Sequence, residues 1–191
     1  PIYRMLFNAG HTVRLAYADS LDKDNAIGTQ DWDTFDLAVI PNFVSCPTVD
    51  TTKKIGDIPV IVLEDSLWDD FGFMSSPLGT ITNDDTVYVS TIDDSITSVF
   101  SVGNNLVYTA NSEIKGILVD SLDSWNILVK DKSQVYSVVT VDTINNVKRI
   151  AFGLPDVSKL KLYNNTAGSG LRTKSEMTGW DLFNRSIGRL V

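Results

Sequence analysis

At 191 residues, with 43% apolar and 21% charged side chains, the chain has the size and composition of one globular domain with a full hydrophobic core. A net charge of −8 excludes non-specific nucleic-acid binding, which needs a basic surface, and the scattered Lys and Arg residues form no local exception. A single cysteine, Cys46, and a single histidine, His11, exclude an internal disulfide and the usual Cys- and His-based metal clusters; no apolar stretch approaches the roughly 18 residues of a membrane span.

The first element places Ile2, Met5, Leu6 and Ala9 at helical spacing, which predicts a helix over residues 1–9 with Gly10 in the C-cap position. Val13 to Ala18 alternates and reads as a strand. Asp36 to Ile40 is a continuous apolar run, as is Pro59 to Leu63, and shorter runs follow at Ile117–Val119 and Arg149–Phe152. Runs of this length fit strands buried on both faces of a parallel sheet. Between them, Asn83-Asp84-Asp85 separates two strand-like segments at 79–82 and 86–89, and Ile96 to Phe100 fits one helical turn. Leu106 to Tyr108 reads as a further strand.

Trp125–Val129 and Gln134–Val141 read as an antiparallel pair, and Asn145-Asn146 as a turn into Val147–Phe152. Residues 163–172, rich in Asn, Gly and Ser, form the most linker-like loop. Thr173-Lys174-Ser175-Glu176 has the spacing of a capping box ahead of Met177, Trp180, Phe183, Ile187 and Leu190, an amphipathic closing helix. This order implies a single three-layer α/β domain over residues 1–191, a parallel sheet with added β-hairpins. Open parallel sheets normally begin with a strand, and this chain begins with a helix. The expectation is an excerpt of a longer polypeptide whose first strand lies upstream.

Taken together, these segments resemble the class I glutamine amidotransferase-like fold, a flavodoxin-like architecture, and within it the ThuA-like branch. "AGHTV" is similar to the end of the first helix entering a strand, "FDLAVIPN" to the third strand, and "IPVIVLEDSLWDDFGF" to the fourth strand with its elbow. "VKRIAFGLP" resembles a late strand of such domains and "MTGWDLFNRSIGRLV" their closing helix. The resemblance implies a cysteine nucleophile on the elbow after Leu63 and an activating histidine later in the chain. Glu64 stands at that elbow, His11 lies early, and Cys46 follows a different strand. The catalytic pair of the family is therefore missing.

Two readings of the elbow remain. Glu64 and Asp65 are candidates for acid/base chemistry or a divalent ion at the carboxyl edge of the sheet, where α/β ligands usually bind. Alternatively, Glu64 accepts hydrogen bonds from the turn that follows while Asp65 or Ser66 caps it. Asp69 and Asp70 read as solvated positions, and no calcium-loop pattern is present. His11 is expected to bond locally and Cys46 to be a surface thiol. Of the four tryptophans, Trp68 is a candidate ligand-facing aromatic, with Asn42 a second candidate contact on the loop after residue 40. Residues 167–170 carry glycines but no phosphate-loop pattern.

The function expected from these features is a non-catalytic structural or interaction module of an extracellular or virion-surface assembly, since Thr, Ser, Asn and Asp are abundant while Lys and His are sparse. Its partners would be neighbouring domains or subunits, with homo-oligomers included, contacted through residues 80–108. No cofactor, metal, nucleic acid or membrane enters this reading. The alternatives are a ThuA-like sugar-metabolising or hydrolytic enzyme using Glu64 and Asp65, and a carbohydrate-binding module.

Overall fold

The computed structural model describes residues 2–8, 10–15, 34–42, 57–73, 80–92, 94–119, 126–144, 146–155, 160 and 178–191. The fold is α/β, with more strand than helix. Helix α1 spans Ile2–Asn8, and among the described residues nine strands follow: β1 Ala38–Ile40, β2 Val60–Val62, β3 Thr80–Asp84, β4 Thr86–Val89, β5 Gly103–Leu106, β6 Ser112–Leu118, β7 Asn126–Asp131, β8 Tyr136–Ile144 and β9 Val147–Phe152. Helix α2, Gly179–Leu190, closes the chain.

The strands form one mixed sheet in the order β1-β2-β9-β8-β7-β4-β5, with β6 joined to β8 and β3 joined to β6. Among the described residues only β1, β2 and β9 pair in parallel, and the other pairs are antiparallel. The apolar runs at 36–40 and 59–63 thus occupy the parallel part of the sheet. The run 149–152 pairs parallel with β2 on one side and antiparallel with β8 on the other. The run at 117–119 departs from expectation: Ile117 and Leu118 end β6, an antiparallel strand.

Burial on both faces explains why β2 is apolar at every position. Ile61 and Leu63 join a core with Ile150, Phe152 and the α2 residues Leu182, Phe183, Ile187 and Leu190. Val60 and Val62 join a second core with Ile40, Leu67, Trp68, Phe71 and Phe73. Strand alternation sends successive side chains to opposite faces, so one short strand serves both cores.

Several local readings hold. Gly10, at φ 92, ends α1, its N–H donating to the Phe7 carbonyl while that of His11 donates to Leu6. The β7–β8 and β8–β9 hairpins are present, the second turning through Asn146 at φ 65. Asp94 nucleates the turn over 94–100, accepting from the Ile96 N–H at 2.8 Å.

Others are corrected. β3 and β4 flank Asp85 without pairing: β3 pairs with β6, and β4 with β5 and β7. Residues 13–15 are irregular rather than strand, and 16–18 lie outside the described residues. Helix α2 begins at Gly179, and the Asp181 carboxylate accepts from both the N–H and the hydroxyl of Thr178 at its start. The 173–176 motif, Cys46, Trp32, Trp125 and the loop 163–172 also lie outside the described residues.

Candidate functional site

The elbow is built from the end of β2. Leu63 still donates to the Ile40 carbonyl (2.9 Å), so the chain is held as strand until Glu64. Glu64 stays extended at φ −81, ψ 107, and the backbone then enters a 3₁₀ turn over Asp65–Leu67. A nucleophile elbow holds its reactive residue in a strained turn; Glu64 carries no such strain. Glu64 is 9% exposed, and its carboxylate folds back to accept from the Ser66 N–H (3.4 Å) and hydroxyl (2.9 Å). Glu64 therefore caps the turn it precedes.

Asp65 faces a residue fifty positions away. Lys115 on β6 donates to Asp65 Oδ1 at 2.5 Å and lies 3.1 Å from Glu113 Oε1. The side chains of Lys115 and Asp65 are only 12% and 14% exposed. Burial opposes the ammonium charge, but the hydrogen bonds and charges of Asp65 and Glu113 outweigh it and raise the lysine above its ordinary value. Lys115 stays protonated at neutral pH, which removes it as a general base.

A glycine makes this encounter possible. Lys115 N–H donates to the Gly153 carbonyl (2.8 Å), and Gly153 N–H donates to the Val138 carbonyl (2.7 Å). A Cβ at position 153 would stand 1.9 Å from the Lys115 carbonyl oxygen. Only a residue without a side chain lets β6 press against the end of β9. Gly153 is visible in the sequence as part of "VKRIAFGLP", but the strand it admits is not.

Beneath the elbow lies the second core. Trp68 is wholly buried and its Nε1 donates to the Val62 carbonyl at 3.1 Å, tying the turn to the strand that enters it. Phe71 and Phe73 are wholly buried beside it. Arg149, which pairs with Val60 across the sheet, sends Nη1 to the Phe71 carbonyl (2.9 Å) and lies 5.8 Å from the Phe71 ring centre. Burial pushes the Arg149 guanidinium down from its ordinary value, against the opposing charges of Asp142 and Asp57.

The candidate residues thus separate. Ile40 pairs with Val62, so Asn42 and Glu64 follow neighbouring parallel strands at one carboxyl edge, with Asp65 next in the chain. Trp68 belongs to the core below them rather than to that edge. Asp69 and Asp70, expected to be solvated, are half-buried, and His11 is exposed on the segment that follows α1. Among the described residues, no group of three or more His, Cys, Asp or Glu side chains is placed to hold a metal ion. Sequence reasoning missed Lys115 and Glu113, because no local pattern links β6 to β2.

A separate cleft of about 320 Å³ lies between the β3–β4 corner and the β7–β8 turn, lined by Asn83, Asp84, Thr86, Asp131, Lys132 and Ser133. Its carboxylates serve their own turns. Asp84 accepts from the N–H groups of Asp85 and Thr86, and Asp131 accepts from Tyr136 N–H (2.7 Å), Ser133 N–H (3.0 Å) and the Ser133 hydroxyl. Among the described residues no helix is long and apolar enough to cross a membrane. No protein-family model, no curated protein and no solved structure matches this chain.

Proposed function

We propose that the chain is a non-catalytic structural or interaction module of an extracellular or virion-surface assembly, a three-layer, flavodoxin-like domain of the amidotransferase-like, ThuA-like kind without that family's catalytic pair. The observation that carries this reading is the state of the elbow carboxylates. Glu64 caps its own turn and Asp65 is joined to a protonated Lys115. An acid/base site needs a group able to gain or lose a proton near neutral pH and within reach of a substrate. Here the groups stabilise the turn. The parallel β1-β2-β9 unit with a strand-to-turn elbow at its carboxyl edge supports the family comparison. The acidic, Thr- and Asn-rich composition supports the surface assignment.

The enzymatic alternative gains one specific observation, the Lys115 ammonium beside two carboxylates, which places a cation at the elbow. Hydrolytic assays on a glycoside panel separate the two. The module reading expects no turnover from the wild type and only a thermal-stability change in Glu64→Gln. Turnover that is present in the wild type and lost in Glu64→Gln would overturn it.

A further inference from the structure

Lys115 meets Asp65 with both backbones fixed by hydrogen bonds. The Lys115 N–H donates to the Gly153 carbonyl at 2.8 Å, and β6 is in register with β3 through Ile81↔Lys115 and Asn83↔Glu113. Asp65 sits in the 3₁₀ turn, where its own carbonyl accepts from the Trp68 N–H at 3.2 Å. Two hydrogen-bonded elements therefore hold an amine nitrogen 2.5 Å from a carboxylate oxygen, with side chains only 12% and 14% exposed. Glu113 completes the cluster. Two residues before Lys115 on β6, it shares the same strand face by alternation and brings Oε1 within 3.1 Å of the same nitrogen. At 43% exposed, its side chain connects the shielded pair to solvent. Lys132 and Asp84 show the ordinary alternative, 3.8 Å apart with side chains 56% and 30% exposed.

We propose that Lys115 and Asp65 condense to an amide, a covalent cross-link between β6 and the turn after β2, with Glu113 as the proton carrier. Reacting groups held in place within one molecule reach effective concentrations of about 10⁵–10⁸ M, enough to drive a condensation that free amines and carboxylates do not undergo in water. The step balances within the three side chains. A proton passes from Lys115 Nζ to Asp65 Oδ1 along their hydrogen bond, leaving a neutral amine against a neutral acid, the pair of forms that burial favours over two charges. The nitrogen lone pair then adds to Asp65 Cγ. Glu113 takes the proton that the nitrogen sheds and returns it to the departing hydroxyl, which leaves as water. One N–C bond forms, one C–O bond breaks, nothing is oxidised or reduced, and Glu113 ends as the carboxylate it began.

The ammonium of the resting pair is the source of the first proton, and until the step occurs the two side chains remain an ion pair. Condensed and uncondensed chains therefore coexist in a refolded sample. The cross-link spans fifty positions of sequence and constrains the unfolded chain as a disulfide over that distance would, in a protein whose single cysteine allows no internal disulfide. The inference goes beyond the module reading and does not depend on it, since the bond forms between the chain's own side chains and no substrate is turned over.

The test is intact-mass spectrometry of the 191-residue chain under denaturing conditions, sampled from refolding over several days. The wild type is expected to lose the mass of one water molecule, in a fraction that grows with time, and a protease digest should show the Lys115 peptide joined to the Asp65 peptide. Lys115→Met and Asp65→Ala should keep the full sequence mass. Glu113→Gln keeps both reacting groups and should slow the loss by about a hundredfold. A wild type that keeps its full mass throughout would overturn the cross-link. So would a water loss that persists in Lys115→Met, the mark of a cyclised aspartate, or Glu113→Gln condensing at the wild-type rate, which would remove the proton carrier. A wild type of full mass would leave the non-catalytic reading standing, and glycoside turnover lost in Glu64→Gln would remove that reading without touching the cross-link.

Discussion

Replacing Lys115 with methionine removes the ammonium that holds Asp65 while keeping most of the apolar stem. The pair it breaks is short, 2.5 Å, and its side chains are 12% and 14% exposed. Removing one partner of a fully buried pair costs about 3–5 kcal/mol, because the remaining charge stays desolvated. Asp65 keeps some access to water, which lowers the expected loss to about 2–3 kcal/mol. For a chain of this size that corresponds to a fall in Tm of about 5–10 °C. Chemical denaturation should show a lower midpoint at unchanged slope. Asp65→Asn, made in the Lys115→Met background, should recover part of the loss, giving a coupling energy of at least about 1 kcal/mol. The pH dependence has a definite sign. The lysine is raised in the folded state above its ordinary 10.5, so its contribution is complete below that value and disappears as pH rises through the folded value. The difference between wild type and Lys115→Met should therefore be flat from neutral pH to about pH 9 and shrink above pH 10.5. Coupling below about 0.5 kcal/mol would refute a stabilising Lys115–Asp65 pair, since it is no more than exposed pairs give.

Gly153→Ala should prevent folding or destabilise by more than about 3 kcal/mol, because its Cβ meets the Lys115 carbonyl oxygen at 1.9 Å. Gly188→Ala, in α2 with nothing within 4 Å of the new Cβ, should instead stabilise by about 0.5–1 kcal/mol; thermal melts of both check the contrast. Glu64→Ala removes the acceptor for Ser66 and should cost about 1 kcal/mol by denaturant titration, whereas Glu64→Gln keeps an acceptor and should cost less. Trp68→Phe removes the bond to the Val62 carbonyl and opens space in the second core, for an expected loss of about 2 kcal/mol. An unchanged melt in that variant would contradict the buried placement of the ring.

Local chemistry determined a good part of this molecule. The apolar run at 59–63 marks a strand covered on both faces, whereas that at 36–40, which opens with Asp36, leads into β1 at the end of the strand order, where Ala38 and Val39 are half-buried. Gly10 ends α1 because the left-handed conformation there favours glycine. The polar segments at 130–133 and 145–146 announce the β7–β8 and β8–β9 hairpins. Glu64 as a turn cap is likewise legible, because the acceptor and its donors lie within two residues of each other.

Partnership across the sheet was not legible. Alternation tells which face of a strand is buried but not which strand lies beside it, so the segments at 80–84 and 86–89 look like a hairpin and are not one. Helix α2 begins later than the motif at 173–176 suggests, because a nearer pair, Thr178 and Asp181, supplies the hydrogen bonds at its first turn. Trp68 could not be assigned to core or surface from its neighbours, and its full burial, with Nε1 donating to the Val62 carbonyl, settles it. The chain by itself fixed an elbow with a carboxylate where the resemblance implies a nucleophile. Only the tertiary structure decided what the next carboxylate does. Gly153 lets β6 close against β9, and that approach delivers Lys115 to Asp65 from fifty residues away.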